Sequence, residues 1–213
     1  MASDTIEMGI DFTADEAALA GALARLPAEG AVALPLIGEA ACQELLAACA
    51  RLAYRPARPL IGQGARAVRQ DFEICMTVPA DSSLRAFACA LERLLTNALR
   101  RLGPPPLDDV VLNDFAVQRY RAGSSGISPH RDHLRYRGLV ALINLAGRGR
   151  FFICDNRVGD DARELPDHPG CLLLMRQPPF AGLSDRPFHF LKDISEPRVS
   201  LGLRHDTRPG EPV

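Results

Sequence analysis

The sequence predicts an α+β protein with a mainly β core, in which helices come first and short strands follow. Three observations carry this. Apolar residues recur at helical spacing in stretches up to about residue 102, short apolar or alternating runs take over from Val110, and turn signals separate those runs. With 213 residues and 47% hydrophobic content the chain can bury one substantial core, and no stretch reads as a linker between two.

Residues 1–12 read as a flexible tail. Thr13 or Asp15 is placed to cap a helix reaching about Leu26, where Pro27 and Gly30 should break it. AVALPLI at 31–37 is a short apolar strand, and Glu39 to Leu52 return to helical spacing. In YRPARPLIGQGARAVRQ, Pro and Gly prevent long regular structure, so this segment is an exposed loop or hairpin and a candidate substrate lid. Its surroundings hold Arg51, Arg55, Arg58, Arg66 and Arg69, which either form a solvated face or cover the mouth of a barrel and attract an acidic substrate. DFEICMTV at 71–78 can form a strand, and Ser82 or Ser83 caps an amphipathic helix that ends before Gly103 and Pro104.

From Val110 the strand-like runs are VVLNDFAVQRY, GISPHRD, GLVALINL, RFFICD, CLLLMR, PFHFLK and RVSLGLR, a pattern that indicates a β-sandwich or barrel. Residues 13–205 are therefore expected to form one domain, with 13–109 as helical support and 110–205 as the core that carries chemistry. Residues 206–213 read as a second flexible tail.

A net charge of −1 and a pI near 6.5 give no global electrostatic reason to bind nucleic acid or an anionic membrane. Six cysteines occur without a C-x-x-C pair, mostly in apolar surroundings, which points to reduced core thiols and to neither a disulfide framework nor a zinc site. MASDTIEMGIDF lacks the apolar region of a secretory signal, and no apolar run is long enough for a bilayer. A cytoplasmic protein that does not span a membrane is the expectation.

The chemistry-bearing motif is SPHRDH. Alternate side chains of a strand share a face, so His130 and Asp132 should point together and Arg131 away. His189, in another strand-like run, is far enough along the chain to return beside them. Two imidazoles and one carboxylate on one face of an octahedral ion leave three positions open, the donor set of non-haem Fe(II) oxygenases, with room for a chelating 2-oxo acid and for dioxygen. H-x-D alone occurs by chance in many chains as two exposed polar residues, so its weight comes from the company it keeps. HRDH also overlaps the kinase catalytic loop, but Arg137 stands where that loop needs Asn and no Gly-rich phosphate loop precedes it. His133 should face away from the metal, and His168 and His205 have no partner at ligand spacing.

In Arg198-Val-Ser-Leu-Gly-Leu-Arg204, Val199, Leu201 and Leu203 take one face, and Arg198, Ser200, Gly202 and Arg204 the other. A half-buried surface strand would alternate in the same way. If the polar face points into a barrel, Arg198 is a buried cation that needs a partner, and a dicarboxylate ligand supplies one bidentately, with Ser200 adding a hydroxyl. Gln118 and Tyr120 share a face one strand before the H-x-D and could bond the same ligand; Tyr120 also fits a plain core role.

Taken together, residues 110–205 resemble the Fe(II)/2-oxoglutarate dioxygenase superfamily, in particular its AlkB-like members. The order is Q-R-Y, H-R-D, PGCLLLM, the distal His and R-x-S-x-x-x-R; GAVALPLIGEAACQELLAAC at 30–49 is similar to the superfamily's N-terminal strand and helix. The resemblance implies a double-stranded β-helix (jelly roll) with supporting N-terminal helices. It also implies Fe(II) held by His130, Asp132 and His189, 2-oxoglutarate held by Arg198, and Arg204 and Tyr120 at the positions of the family's second arginine and co-substrate tyrosine. AlkB-like members usually carry N-x-Y where this chain has Gln118-Arg-Tyr120, and R-x-N-x-T-x-R where it has Ser200 and Gly202. A small-molecule, amino-acid or peptide substrate is therefore expected ahead of nucleic acid. Hydroxylation or oxidative demethylation, with succinate and CO2 as co-products, is one function class; a non-catalytic metal- or dicarboxylate-binding barrel acting as sensor or scaffold is the other.

Overall fold

A computed structural model describes residues 11–208. The expected tails fall largely on residues 1–10 and 209–213, outside the described residues. At their inner borders Phe12 bridges Ile37 and lies 5.9 Å from the Phe87 ring, and the last strand runs to Asp206.

Three helices form from the segments that show helical spacing. Helix α1 (Glu16–Glu29) starts at Asp15, whose Oδ1 accepts from the Ala18 N–H at 2.8 Å. Contrary to expectation it continues through Pro27. Buried Arg176 ties that end to a distant part of the chain: its Nη1 donates to the carbonyl of Leu26, which also accepts the Gly30 N–H, and to that of Pro27, at 3.2 and 3.1 Å. Gly30, at φ +74°, then closes the helix. Helix α2 (Glu39–Cys49) stops short of Leu52. Helix α3 (Ser83–Arg100) is capped by Ser82 and buries Leu84, Phe87, Leu91, Leu95 and Leu99 along one stripe.

The strands build two antiparallel sheets. Strands β1 (Ala31–Pro35), β2 (Arg55–Pro56), β5 (Glu73–Cys75), β6 (Asp114–Tyr120), β8 (Tyr136–Ala146), β11 (Cys171–Arg176) and β13 (Arg198–Asp206) make a seven-stranded sheet in the order β1-β11-β8-β13-β6-β5-β2. Strands β3 (Leu60–Ile61), β4 (Val68–Asp71), β7 (Gly126–His130), β9 (Arg150–Cys154), β10 (Arg163–Leu165) and β12 (Phe188–Lys192) make the other, in the order β10-β9-β12-β7-β4-β3. The β3–β4 pair is the hairpin that the Pro- and Gly-rich segment allowed; β10 had no sequence signal.

Helices α1 and α2 pack on β1, β11 and β8 of the larger sheet, and α3 packs on both helices. This is a jelly roll braced on one side by helices. The larger sheet is covered on both faces, which is why CLLLMR of β11 is buried throughout instead of alternating. One apolar cluster lies between helices and sheet, with Phe87 fully buried at its centre, and a second lies inside the roll around Phe72, Tyr120, Phe151 and Met175. Phe87→Ala should lower unfolding free energy by about 3–5 kcal/mol, read as a reduced denaturant midpoint with an unchanged slope.

Candidate active site

Strand β12 lies beside β7 in antiparallel register, with His189 directly opposite His130. Their ring centroids are 4.2 Å apart. Asp132 is not on the strand: β7 ends at His130, and the chain turns so that the carboxylate returns inward while Arg131 stays exposed. The Arg186 Nε holds that turn by donating to the Asp132 carbonyl at 2.7 Å. One ligand atom from each of His130, Asp132 and His189 lies within 4.8 Å of the other two.

The protonation states suit a cation. His130 Nδ1 sits 2.9 Å from the Ser128 carbonyl, which only accepts, so Nδ1 carries the hydrogen and Nε2 keeps its lone pair. Burial lowers the pKa of both imidazoles, that of His189 to about 3 with the nearby His130 contributing. Burial alone would raise that of Asp132, but Arg204 and the two histidines outweigh it and hold the carboxyl below its ordinary value. Asp132 Oδ2 is buried without a hydrogen-bond partner and faces His189 Nε2 at 3.8 Å. Two neutral imidazoles, an ionised carboxylate and an orphaned oxygen fit a divalent ion such as Fe(II).

Those pKa directions fix a pH dependence. Both imidazoles protonate more readily in the unfolded chain, so metal-free stability is complete above about pH 6.5 and is lost as the pH falls towards 3. The slope is up to about 1.4 kcal/mol per pH unit for each group. Melting curves of metal-free protein between neutral and acidic pH check this, and a flat profile would contradict it.

One cavity is lined by all three of these residues together with Gln118, Tyr120, Arg198, Ser200 and Arg204; Ile127, Leu142, Phe151 and Leu191 form its apolar wall. The cross-strand register explains the grouping, since Tyr120 pairs with Arg198 and Gln118 with Ser200 across β6 and β13. Tyr120 donates its hydroxyl to Gln118 Oε1 at 3.2 Å. Gly202 leaves room that Leu142 and the Arg204 guanidinium fill. Arg204 itself points at acids: its Nε is 3.7 Å from Asp132 and its Nη1 3.5 Å from Asp114.

Arg198 differs from its expected state. Its cation is not left for a ligand alone, because Asp167 accepts from Nε and Nη2 at 3.1 and 3.0 Å, and both side chains are almost wholly buried. Asp167 lies in the turn before β11, anchored by the buried Asn144, whose amide donates to the Asp167 carbonyl at 3.2 Å. Arg198 Nη1 makes no hydrogen bond among the described residues. Nothing in the sequence around Asp167 or Asn144 announced these roles. Of the remaining histidines, His133 and His168 are exposed.

No family model matches the chain, and no curated protein does. Solved structures do. A prolyl-4-hydroxylase from Pseudomonas putida superposes with a TM-score of 0.61 at 21% identity, covering 90% of this chain and 100% of that one. A prolyl hydroxylase from Trichoplax adhaerens, in complex with a peptide fragment of the hypoxia inducible factor oxygen degradation domain, gives 0.63 at 14% identity, with 90% of each chain covered. An oxidoreductase of the 2OG-Fe(II) oxygenase family from Burkholderia pseudomallei gives 0.58 at 16% identity, with 90% of this chain and 92% of that one covered. The fold is that of the 2-oxoglutarate–Fe(II) oxygenases. Within that oxygenase fold, this chain carries a His-Asp-His donor set inside the roll. No helix among the described residues is long and apolar enough to cross a membrane.

Proposed function

We propose that the protein is an Fe(II)- and 2-oxoglutarate-dependent dioxygenase that hydroxylates, or oxidatively demethylates, its substrate. The observation that carries this reading is the convergence of His130, Asp132 and His189 in the cavity that also exposes an edge of Arg198. The three residues would hold Fe(II), which together with 2-oxoglutarate and dioxygen supplies oxidation of a C–H bond, giving succinate and CO2. Arg198, fixed by Asp167, offers Nη1 and the rest of Nη2 to the distal carboxylate; Ser200, Tyr120 and Gln118 complete that end of the cavity. Arg204 orients Asp132 and keeps it ionised. Phe151 lies 5.8 Å from the His189 ring, and with Leu191 and Ile127 it limits water at the site.

A peptide substrate stands ahead of a nucleobase: two of the similar structures are named as prolyl hydroxylases, one of them with a peptide bound. The AlkB-like reading rests on motif order alone. Six free cysteines, five of them buried, accord with a reducing cytoplasmic setting. Asp167 favours one rival, because it satisfies Arg198 without any ligand and so permits a barrel that only binds or senses. Succinate release decides between them. Full-length protein with Fe(II), 2-oxoglutarate and dioxygen should form succinate, faster with a substrate found among peptides, amino acids, nucleosides and methylated DNA; no succinate under any of these would leave the binding reading.

A further inference from the structure

Three arginines gather beside the candidate metal ligands, and they are called the rim here. Arg131, between the two motif ligands, places its guanidinium carbon 4.0 Å from the centroid of the Phe188 ring, and Arg157, from the loop after β9, approaches the same ring at 5.6 Å. Arg186, two residues before Phe188, is tied to the Asp132 carbonyl. Its pKa is lowered by burial and by the charges of Arg131 and Arg157, which puts the three cations within one another's field.

Among the described residues no side-chain carboxylate forms an ion pair with Arg131, Arg157 or Arg186, although the charge of Asp132 offsets part of the repulsion on Arg186. Asp132 faces His189 and Arg204, and Asp185 pairs with Arg176. Asp160 takes a hydrogen bond from Asn156, and neither it nor its neighbours Asp155 and Asp161 form an ion pair with Arg157 among the described residues. Like charges without an ion-pair partner among the described residues, two of them held on one aromatic ring, complement an anionic partner.

The surroundings indicate what kind of anion. Arg157 Nη1 donates to the Arg66 carbonyl at 3.4 Å, joining the rim to the β3–β4 hairpin. Strand β3 is the edge of its sheet, and its Leu60 and Ile61 are 56% and 49% exposed. An open strand edge with outward apolar side chains suits an extended peptide. Single-stranded nucleic acid would require free aromatic faces, yet no large aromatic side chain is exposed among the described residues and Phe188 already carries two guanidinium groups.

We infer that this rim binds an acidic peptide segment, whose carboxylates meet Arg131, Arg157 and Arg186 beside the metal-ligand triad. Calling that peptide the substrate rests on the oxygenase reading; its binding does not. The test is fluorescence anisotropy with the full chain and three fluorescein-labelled probes of equal length: a Glu-rich peptide, its Lys-rich counterpart and a single-stranded oligothymidine. The Glu-rich peptide should bind at least about tenfold more tightly than either other probe, and its affinity should fall as salt rises. The double variant Arg131→Gln/Arg157→Gln should weaken it about tenfold with an unchanged melting temperature. Equal affinities, no binding, a salt-independent affinity or tighter binding of oligothymidine would overturn the inference. If the double variant fails to fold, the charge preference and salt dependence of the unaltered protein decide. Acidic-peptide binding together with no succinate under any of the conditions above would sink the oxygenase reading and leave this one standing.

Discussion

His189→Ala should reduce 2-oxoglutarate-dependent succinate formation by roughly three orders of magnitude or more, because it removes one of three donors from a set that has no spare. Asp132→Ala should do the same for an added reason. Among the described residues it leaves the buried Arg204 with only Asp114, at 3.5 Å, as a facing acid, so the variant also loses stability. His189→Ala removes a neutral ring instead, and its fold should persist at a cost of about 1–3 kcal/mol. Parallel melting curves and succinate assays separate the two losses. Activity retained by His189→Ala would mean that the ligand assignment is wrong.

The second large effect concerns Arg198 and Asp167. Arg198→Ala should raise KM for 2-oxoglutarate about 10- to 100-fold, through loss of the guanidinium edge that faces the cavity. It should also destabilise the protein by about 3–5 kcal/mol, since Asp167 would stay buried as an unpaired charge. The two consequences come apart in the double variant Arg198→Ala/Asp167→Ala, which should recover much of the stability and none of the co-substrate affinity. Recovery of both would show that Arg198 acts only as a structural partner of Asp167.

Much of the site was legible because strand periodicity is short and strict. In β13, the polar face holding Arg198, Ser200 and Arg204 opposite Val199, Leu201 and Leu203 was legible, while its inward direction was one of two readings that the alternation allowed. His130 and His189 sit in runs that read as strands. Asp132 was legible as a candidate donor but not in its setting, since the strand ends at His130, two residues before it. Asp167 was not legible, because its pairing with Arg198 depends on where the turn before β11 lands, and a lone acid in a turn looks like any solvated one. The continuation of α1 through Pro27 was not legible either; Arg176, from a strand remote in sequence, hydrogen-bonds the carbonyls of Leu26 and Pro27 at that end. Local rules describe what a segment prefers, whereas a contact such as Asp167 with Arg198 is set by a distant part of the chain.

The basic rim adds a further lesson. A net charge of −1 gave no global reason to expect an anionic partner, yet Arg131, Arg157 and Arg186 gather at one place without an ion-pair partner among the described residues. Global charge bounds long-range attraction, whereas the local arrangement sets what the mouth of a cavity accepts.

Anaerobic addition of Fe(II) and then 2-oxoglutarate to the full-length protein probes the site most directly, with visible absorption as the readout. A charge-transfer band should grow to one equivalent of each in the unaltered protein and be missing in His189→Ala. A protein that shows no band, or one whose band is unaffected by that substitution, does not assemble a ferrous chelate from these side chains.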